Sequence, residues 1–170
     1  MPIADRIRNL RVETLSDNWY VLRKATFDFL RRDGVWQTQS REAYDRGNGA
    51  AILLTNAETG MLLLTRQFRY PAWSNGYEPG LLLEVCAGLL DADDPETAIR
   101  REAEEETGYR LGEVRHLFDA FMSPGSVTER LSFFAAAYHA DQRINPGGGE
   151  AGSTEDIELL EVSLNQALAM

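Results

Sequence analysis

The chain has 170 residues, a length that fits one domain of ordinary size. It carries 17 Lys and Arg against 27 Asp and Glu, a net charge of −10 at pH 7, and 44% of its residues are hydrophobic. That composition supports a packed core and argues against a disordered chain. The acidic balance argues against a protein that binds DNA or RNA, because such binding needs surplus Lys and Arg to neutralise phosphates. An acidic protein can still bind a phosphorylated small molecule if metal ions bridge the two.

A single cysteine, Cys86, excludes an internal disulfide and a cysteine cluster for zinc. The two histidines, His116 and His139, do not have a metal-binding spacing. The N-terminal sequence lacks a basic-then-apolar secretory signal, and no apolar run approaches the roughly 20 residues that a membrane span needs. We therefore expect a cytoplasmic protein without a membrane partner.

Short β-rich segments separated by turn residues fill the first half of the chain, which is typical of a mixed sheet. Asp33-Gly34 predicts the turn of a hairpin, and 46–49 and 55–60 are further breaks. The strands are predicted at 19–22, 25–30, 35–44, 50–54 and 61–65. The last two of these, 50–54 and 61–65, are expected to pair with each other.

The second half contains one long helix among further strands. Asp94 and Pro95 are the residue types of a helix N-cap and first position. The helix is expected to run to about Thr107, where Gly108 ends it. The other predicted elements are a loop at 71–80, an apolar segment at 81–86, strands at 114–121, 132–140 and 157–162, a glycine-rich loop from 145, and a last helix that begins at Ser163 and is truncated at Met170.

Three glutamates of the long helix share its packing side. At about 100° per residue, Glu102, Glu105 and Glu106 fall within one arc of roughly 100°. The small apolar residues 98, 99 and 103 lie on the same half, whereas 97, 100 and 104 point away. A solvated charged face is the alternative, but carboxylates clustered on a packing face repel one another unless cations compensate them. Glutamate oxygens suit Mg²⁺ or Mn²⁺, and Arg101 is expected to reach Glu105 one turn on.

The segment from Arg101 to Tyr109 resembles the second half of the Nudix box, G-x5-E-x7-R-E-U-x-E-E-x-G-U, in which U is apolar. The first half departs from that pattern: Ala87 occupies the glycine position, with Gly88 one place later, and Asp93 occupies the first glutamate position. Nearly the whole chain is similar to the branch of the Nudix hydrolases that cleaves nucleoside diphosphate sugars. The stretches that carry this resemblance are 15–19, 41–49, 66–69, 122–129, 145–149 and 155–158.

The resemblance implies an α/β fold, the Nudix α/β/α sandwich, with a mixed β-sheet between helices and extra N-terminal antiparallel strands. It implies a single Nudix domain over 1–170, with its core at 47–170. The strands within 1–46 are expected to serve a homodimer and to contact the substrate.

The resemblance also implies a divalent metal site, with Mg²⁺ expected and Mn²⁺ as the alternative. Glu102 and Glu106 would bind the metal together with the backbone carbonyl of Ala87. Glu105 would be a further ligand or a catalytic carboxylate held by Arg101.

Other site residues follow from the same resemblance. Glu155, after the glycine-rich loop, would be an additional metal ligand or the general base, with simple exposure as the alternative. Arg69 would make a bidentate contact with a phosphate, or else form a surface salt bridge. Trp19 would stack on the nucleobase from the partner subunit, with core packing or a dimer seam as the alternative. The remaining substrate-binding candidates are Arg41, Glu42, Ala87, Gly88 and Glu129.

The implied activity is Mg²⁺-dependent hydrolysis of a nucleoside diphosphate sugar. GDP-mannose, giving GMP and mannose 1-phosphate, is the first expectation, and ADP-ribose, giving AMP and ribose 5-phosphate, is the alternative. A Nudix-fold regulator that binds a nucleotide sugar without cleaving it is the rival from another class. Such proteins tend to lose box glutamates, whereas Glu102, Glu105 and Glu106 are all present here.

Overall fold

Three antiparallel strands form the N-terminal part of the protein in a computed structural model, which describes residues 2–149, 152 and 154–170. The turn predicted at Asp33-Gly34 is confirmed: Gly34 has a φ of 80°, and its N–H donates to the carbonyl of Arg31 at 3.1 Å. The predicted segments 19–22 and 25–30 merge into one strand that begins at Val21. The sheet order is β1 (Ile7–Asp17), β2 (Val21–Leu30) and β3 (Trp36–Asp45).

Strand β1 was not predicted from the sequence. Its pairing with β2 shifts register between Arg8 and Arg11 and again between Thr14 and Ser16. These irregularities interrupt the two-residue alternation by which a half-buried strand is recognised. Nearly all its side chains are exposed, so no buried face marks it either.

The chain divides into two compact units, Met1–Asn48 with Phe121–Arg130 and Gly49–Ala120 with Leu131–Met170. In the first unit, Tyr44 anchors the returning loop: its N–H donates to the carbonyl of Ser126 at 2.8 Å, and its carbonyl accepts from the N–H of Thr128 at 3.1 Å. The single domain over 1–170 and its division at residue 46 stay predictions from the sequence.

Among the described residues, a mixed sheet of seven strands dominates the second unit. The strands are β4 (Gly49–Asn56), β5 (Leu62–Phe68), β6 (Leu81–Glu84), β7 (Cys86–Leu89), β8 (Val114–Phe121), β9 (Arg130–Tyr138) and β10 (Glu158–Val162). Their main order is β10-β5-β4-β9-β8, with β6 beside β5 and β7 beside β4. Strand β4 pairs antiparallel with β5 and β7 and parallel with β9, so the expected pairing of 50–54 with 61–65 is confirmed.

Helices cover both faces of this sheet. Leu63 belongs to the buried cluster that contains Ile99, whereas its neighbour Leu64 belongs to the cluster against which Ala167 packs. Because successive strand residues point to opposite faces, the two helices lie on opposite sides. The predicted α/β/α sandwich with a mixed sheet and extra N-terminal antiparallel strands is therefore confirmed. The helices are α1 (Tyr70–Ser74), α2 (Pro95–Glu102) and α3 (Leu164–Ala167).

The loop predicted at 71–80 begins with helix α1 instead. Pro71 lies in the first turn, where a missing N–H costs no hydrogen bond, and the N–H of Trp73 donates to the carbonyl of Arg69 at 3.1 Å. The proline thus starts a helix rather than excluding one. Among the described residues, no helix is both long and apolar enough to cross a membrane.

Candidate active site

Helix α2 and the turn that follows it carry the acidic segment. The side chain of Asp94 accepts hydrogen bonds from the N–H groups of Glu96 and Thr97, both at 3.1 Å, so the predicted N-cap is confirmed. The helix continues as a π-helical turn, Ala103–Thr107, and ends at Gly108 with a φ of 80°. The predicted start and stop of the helix both agree with these observations.

The π-helical turn differs from the uniform spacing of 100° per residue expected along the helix. A π turn has a wider repeat and occurs mostly as a single turn, frequently at functional sites. Within it, the Thr107 hydroxyl donates to the carbonyl of Ala103 at 2.5 Å. Glu106 still lies on the packing side, only 3% exposed, whereas Glu104 points outward and pairs with Arg110 at 3.1 Å.

Glu106 is a buried carboxylate with an incomplete set of partners. Burial, together with the nearby charges of Glu102 and Glu155, raises its pKa to about 7, although contacts with the Cys86 thiol and the Ala87 N–H act in the opposite direction. Its Oε2 is buried and has no hydrogen-bond partner within the described part of the chain. A buried carboxylate in this state is unstable as an anion unless a cation joins it.

Glu102 lies against the backbone of strand β7. A Cβ added at Gly88 would lie 2.1 Å from Glu102 Cδ and 2.5 Å from its Oε1, so only glycine leaves room for this carboxylate. Gly88 pairs with Ala50 of β4, which fixes the strand beneath it. Burial, and then the charges of Glu105 and Glu155, raise the pKa of Glu102, while its bond with Arg101 lowers it.

Arg101 was expected to hold Glu105, and this expectation is wrong. Its guanidinium binds Asp93 at 2.9 Å, Glu102 at 3.2 Å and Asp91 at 3.4 Å. The contact with Glu102 is possible because Arg101 folds back toward the loop before the helix, where two aspartates attract it. Asp93, which occupies the first glutamate position of the box, therefore helps to orient the arginine beside a site glutamate.

The glycine-rich loop brings Glu155 beside the helix. A Cβ at Gly149 would lie 2.6 Å from Glu155 Oε2, and Glu155 is close enough to raise the pKa of both Glu102 and Glu106. The N–H of Gly149 donates to the carbonyl of Glu105 at 3.3 Å. The structure thus brings together all four predicted glutamates.

Arg69 forms a two-pronged ion pair rather than an exposed single contact. Its Nε and Nη2 donate to the two oxygens of Glu84 at 2.9 and 2.7 Å. This pairing raises the pKa of Arg69, and the charges of Glu106 and Glu155 raise it further. The salt-bridge alternative is therefore observed, and any phosphate contact must use the N–H groups outside this pair, which are those of Nη1 and the second N–H of Nη2.

The donor set fits a hard divalent cation. Glu102 and Glu106 offer carboxylate oxygens, one of them buried and unpaired, on a glycine surface that admits no side chain. In the described ranges 2–149, 152 and 154–170, no group of three or more His, Cys, Asp or Glu side chains is already arranged to hold a metal ion. The carboxylates are thus neighbours rather than a closed coordination shell, as mutual repulsion predicts.

Four predicted substrate residues belong to the first unit. Trp19, in the turn between β1 and β2, is 85% exposed, so the core-packing alternative is wrong. Arg41 and Glu42 lie exposed on β3, and Arg41 donates to the carbonyl of the preceding residue at 2.7 Å. Glu129 pairs with Arg46 at 3.6 Å. Their roles toward a substrate stay predictions.

Two ion pairs at the candidate site were not predicted from the sequence. Glu84 holds Arg69, and its signal was its position as the one charged residue in the apolar segment 81–86. Asp91 binds Arg101 from a backbone with a φ of 50°, a conformation that an aspartate tolerates better than most residues and that no sequence pattern marked.

Two family models cover nearly the whole chain. The NUDIX domain matches residues 45–169, and the GDP-mannose pyrophosphatase NudK N-terminal domain matches residues 6–44. The chain therefore belongs to the Nudix hydrolase family, whose members generally use divalent metal ions.

The chain is also similar to individual curated proteins and to a solved structure. A protein of Citrobacter koseri named GDP-mannose pyrophosphatase is 54% identical over 168 residues, which cover 99% of this chain and 87% of the relative. A protein of Escherichia coli O139:H28 with the same name is 52% identical over the same shares. A crystal structure of an ADP compounds hydrolase has a TM-score of 0.67 at 19% identity, covering 96% of this chain and 81% of that one, and shares the fold.

Proposed function

We propose that this protein hydrolyses the diphosphate bond of GDP-mannose to give GMP and mannose 1-phosphate. The observation that carries the proposal is Glu106, a 3% exposed carboxylate with a pKa of about 7 whose Oε2 has no partner among the described residues. Such a group needs a cation, and a diphosphate is a substrate that a cation can bridge to acidic side chains. The identity of 54% and 52% to two GDP-mannose pyrophosphatases supports GDP-mannose as the sugar nucleotide.

Glu102 and Glu106 would hold the divalent ion, with the carbonyl of Ala87, and Glu155 is the candidate for a further ligand. We propose Mg²⁺ as the ion and Mn²⁺ as a substitute, because all these donors are oxygens. When bound, such an ion neutralises the diphosphate oxygens and lowers the pKa of the attacking water. Arg101 would keep Glu102 in place through their bond at 3.2 Å.

The chain's own residues would orient the substrate and accept the proton. Either Glu105 or Glu155 would take the proton of the attacking water, since both lie beside Glu102. Arg69 would contact a phosphate through Nη1 and the second N–H of Nη2, because its Nε and the first N–H of Nη2 bind Glu84. The further substrate-contact candidates are Trp19, Arg41, Glu42, Gly88 and Glu129.

Turnover of two sugar nucleotides tests the assignment. With Mg²⁺ present, we expect GMP and mannose 1-phosphate from GDP-mannose, with kcat/KM at least roughly tenfold above that for ADP-ribose, a margin that corresponds to about 1.4 kcal/mol of transition-state binding. Products are separated by anion-exchange chromatography, and a chelator-treated sample is the control. Faster cleavage of ADP-ribose than of GDP-mannose would mean that ADP-ribose is the substrate. Binding of GDP-mannose without cleavage would indicate a regulator instead of an enzyme.

We also propose that the protein is a homodimer in the cytoplasm, where its one free cysteine, the buried Cys86, stays reduced. Strand β1 is an edge strand that exposes apolar side chains, including Leu10 at 58% and Val12 at 57%. Exposed edge strands of this kind readily pair with another chain.

Light scattering after gel filtration tests the dimer. We expect twice the 19.1 kDa of one chain for the wild type, and a monomer for the double variant Leu10→Lys, Val12→Lys. Val35→Lys, at a 54% exposed site beside the hairpin turn, is the matched control and should stay dimeric. A monomeric wild type would contradict the proposal, and a dimeric double variant would exclude β1 as the interface.

A further inference from the structure

The glycine-rich loop 145–149 closes the carbonyl end of the π-helical turn. A helix leaves several of its last carbonyls without partners inside the helix. Here the N–H of Gly148 donates to the carbonyl of Glu106 at 2.8 Å. The carbonyl of Glu104 already accepts from the N–H of Gly108 at 3.1 Å, and the Nδ2 of Asn145 adds a second donor to it at 3.0 Å. The N–H of Gly149 completes the set by donating to the carbonyl of Glu105 at 3.3 Å.

The side chain of Asn145 bonds both to the helix end and to the loop. While its Nδ2 binds the helix, its Oδ1 accepts from the N–H of Gly147 at 2.7 Å, which keeps the loop folded. A Cβ at Gly147 would lie 2.6 Å from the carbonyl oxygen of Glu106, and a Cβ at Gly108 would lie 2.2 Å from the Asn145 carbonyl oxygen. The two segments therefore touch backbone to backbone, and one asparagine side chain bonds across that contact.

The same loop contacts Glu155. A Cβ at Gly149 would lie 2.6 Å from Glu155 Oε2 and 2.7 Å from its Cβ, so Glu155 rests on the glycine whose N–H binds the Glu105 carbonyl. A shift of the loop away from the helix would move Glu155 relative to Glu105 and Glu106. The proposed hydrolysis gives Asn145 no direct role.

We propose that Asn145 is a positioning residue, which sets the distance between Glu155 and the helix glutamates by fastening the loop to the helix end. The proposal rests on the hydrolytic function given above, in which Glu155 acts on the attacking water or the metal. Asn145 itself touches none of the reacting groups, so its effect passes through Glu155.

Hydrogen exchange of the metal-free protein tests the fastening without any turnover. In Asn145→Ala we expect the amides of Gly148 and Gly149 to exchange at least roughly tenfold faster, because the loop opens locally, while the amide of Ile52 in β4 stays as protected as in the wild type. Asn145→Asp, which keeps an acceptor for Gly147 but loses the donor to Glu104, should behave like Asn145→Ala. Unchanged exchange at Gly148 and Gly149, or a wild-type-like Asn145→Asp variant, would overturn the proposal even if no substrate were hydrolysed.

A double-variant cycle tests the route through Glu155. We expect Asn145→Ala to lower kcat by roughly 10-fold to 100-fold with KM within about twofold, as loss of a residue that orients a site group does. In the Glu155→Gln background the same change should lower kcat less than about twofold, since its target is already removed. Ser163→Ala, which removes the cap of α3, is the matched control and should leave kcat unchanged. Additive losses, or a fully active Glu155→Gln variant, would overturn the proposal.

Discussion

Replacing Glu106 by glutamine stops hydrolysis and makes the metal-free protein more stable at neutral and alkaline pH. The activity is expected to fall by more than about 100-fold, because loss of a residue that merely orients a metal ligand already costs roughly 10-fold to 100-fold. The stability rises because a neutral amide replaces a carboxylate that is 3% exposed and has an unpaired oxygen among the described residues. Opposite effects on activity and stability are the signature of a group kept for function.

The pH dependence follows from the raised pKa of Glu106. In the unfolded chain this carboxyl loses its proton around its ordinary value of 4.5, whereas in the folded protein the pKa is about 7. Between these values the unfolded state is the more ionised, so raising the pH favours unfolding and the folded protein loses stability. The loss is complete above pH 7 and amounts to about 3 kcal/mol, at 1.36 kcal/mol for each unit of pKa difference.

Denaturant unfolding of chelator-treated protein at pH 5 and pH 8 measures this effect. Glu106→Gln should exceed the wild type at pH 8 by up to about 3 kcal/mol and differ little at pH 5. Glu104→Gln is the matched control, since Glu104 lies in the same turn but is paired with Arg110 at the surface, and it should keep its activity. A Glu106→Gln variant that hydrolyses substrate normally would refute the proposed site.

The packing side of the acidic helix could be predicted because it depends on local periodicity. Asp94, Gly108 and the apolar residues around them mark the start, end and buried face of one helix, and each has a local physical cause. The glutamates on that face could be assigned to a site because charge on a packing face requires compensation. Glu106 lies on the packing side as predicted, although the π-helical turn departs from the uniform spacing on which the prediction was based.

What could not be predicted depends on contacts between distant parts of the chain. The partner of Arg101 depends on the path of the loop that carries Asp91 and Asp93, and one-turn spacing on the helix pointed to Glu105 instead. The two-pronged bond of Arg69 to Glu84 depends on the pairing of β5 with β6, which the sequence did not give. Spacing along a helix predicts which residues share a face of that helix, whereas the ion-pair partners of a side chain depend on how distant segments of the chain fold together.

Gly88, one residue after the glycine position of the Nudix box, is a second case in which the motif alone did not show which contact a residue makes. Counting along the Nudix box gave Ala87 where a glycine was expected and left Gly88 as a displaced residue. In the structure, Gly88 is the residue whose missing side chain accommodates Glu102, with a hypothetical Cβ only 2.1 Å from Glu102 Cδ. The one-residue shift therefore matters chemically, and it leads to a direct test.

Gly88→Ala should remove most of the hydrolytic activity while leaving the fold intact. The φ of Gly88 is not in the left-handed region, so alanine is compatible with the backbone, and the added methyl group must displace the Glu102 carboxylate at Cγ (2.4 Å), Cδ and Oε1. A misplaced metal ligand should lower kcat by roughly 100-fold and weaken the activation by Mg²⁺. Steady-state kinetics over a Mg²⁺ titration measure both quantities.

The matched control for that substitution is Gly112→Ala in the same unit. There the nearest atom to an added Cβ is Gln142 Nε2 at 3.5 Å, an ordinary contact, and the φ is again not left-handed. Both variants should keep the circular dichroism spectrum of the wild type, and Gly112→Ala should keep its kcat and its Mg²⁺ dependence. A fully active Gly88→Ala would mean that Glu102 can hold the metal from another position, and the role of the glycine surface of β7 would have to be abandoned. An inactive Gly88→Ala whose activity returns at high Mg²⁺ would instead locate the defect in metal binding, as the displaced carboxylate predicts.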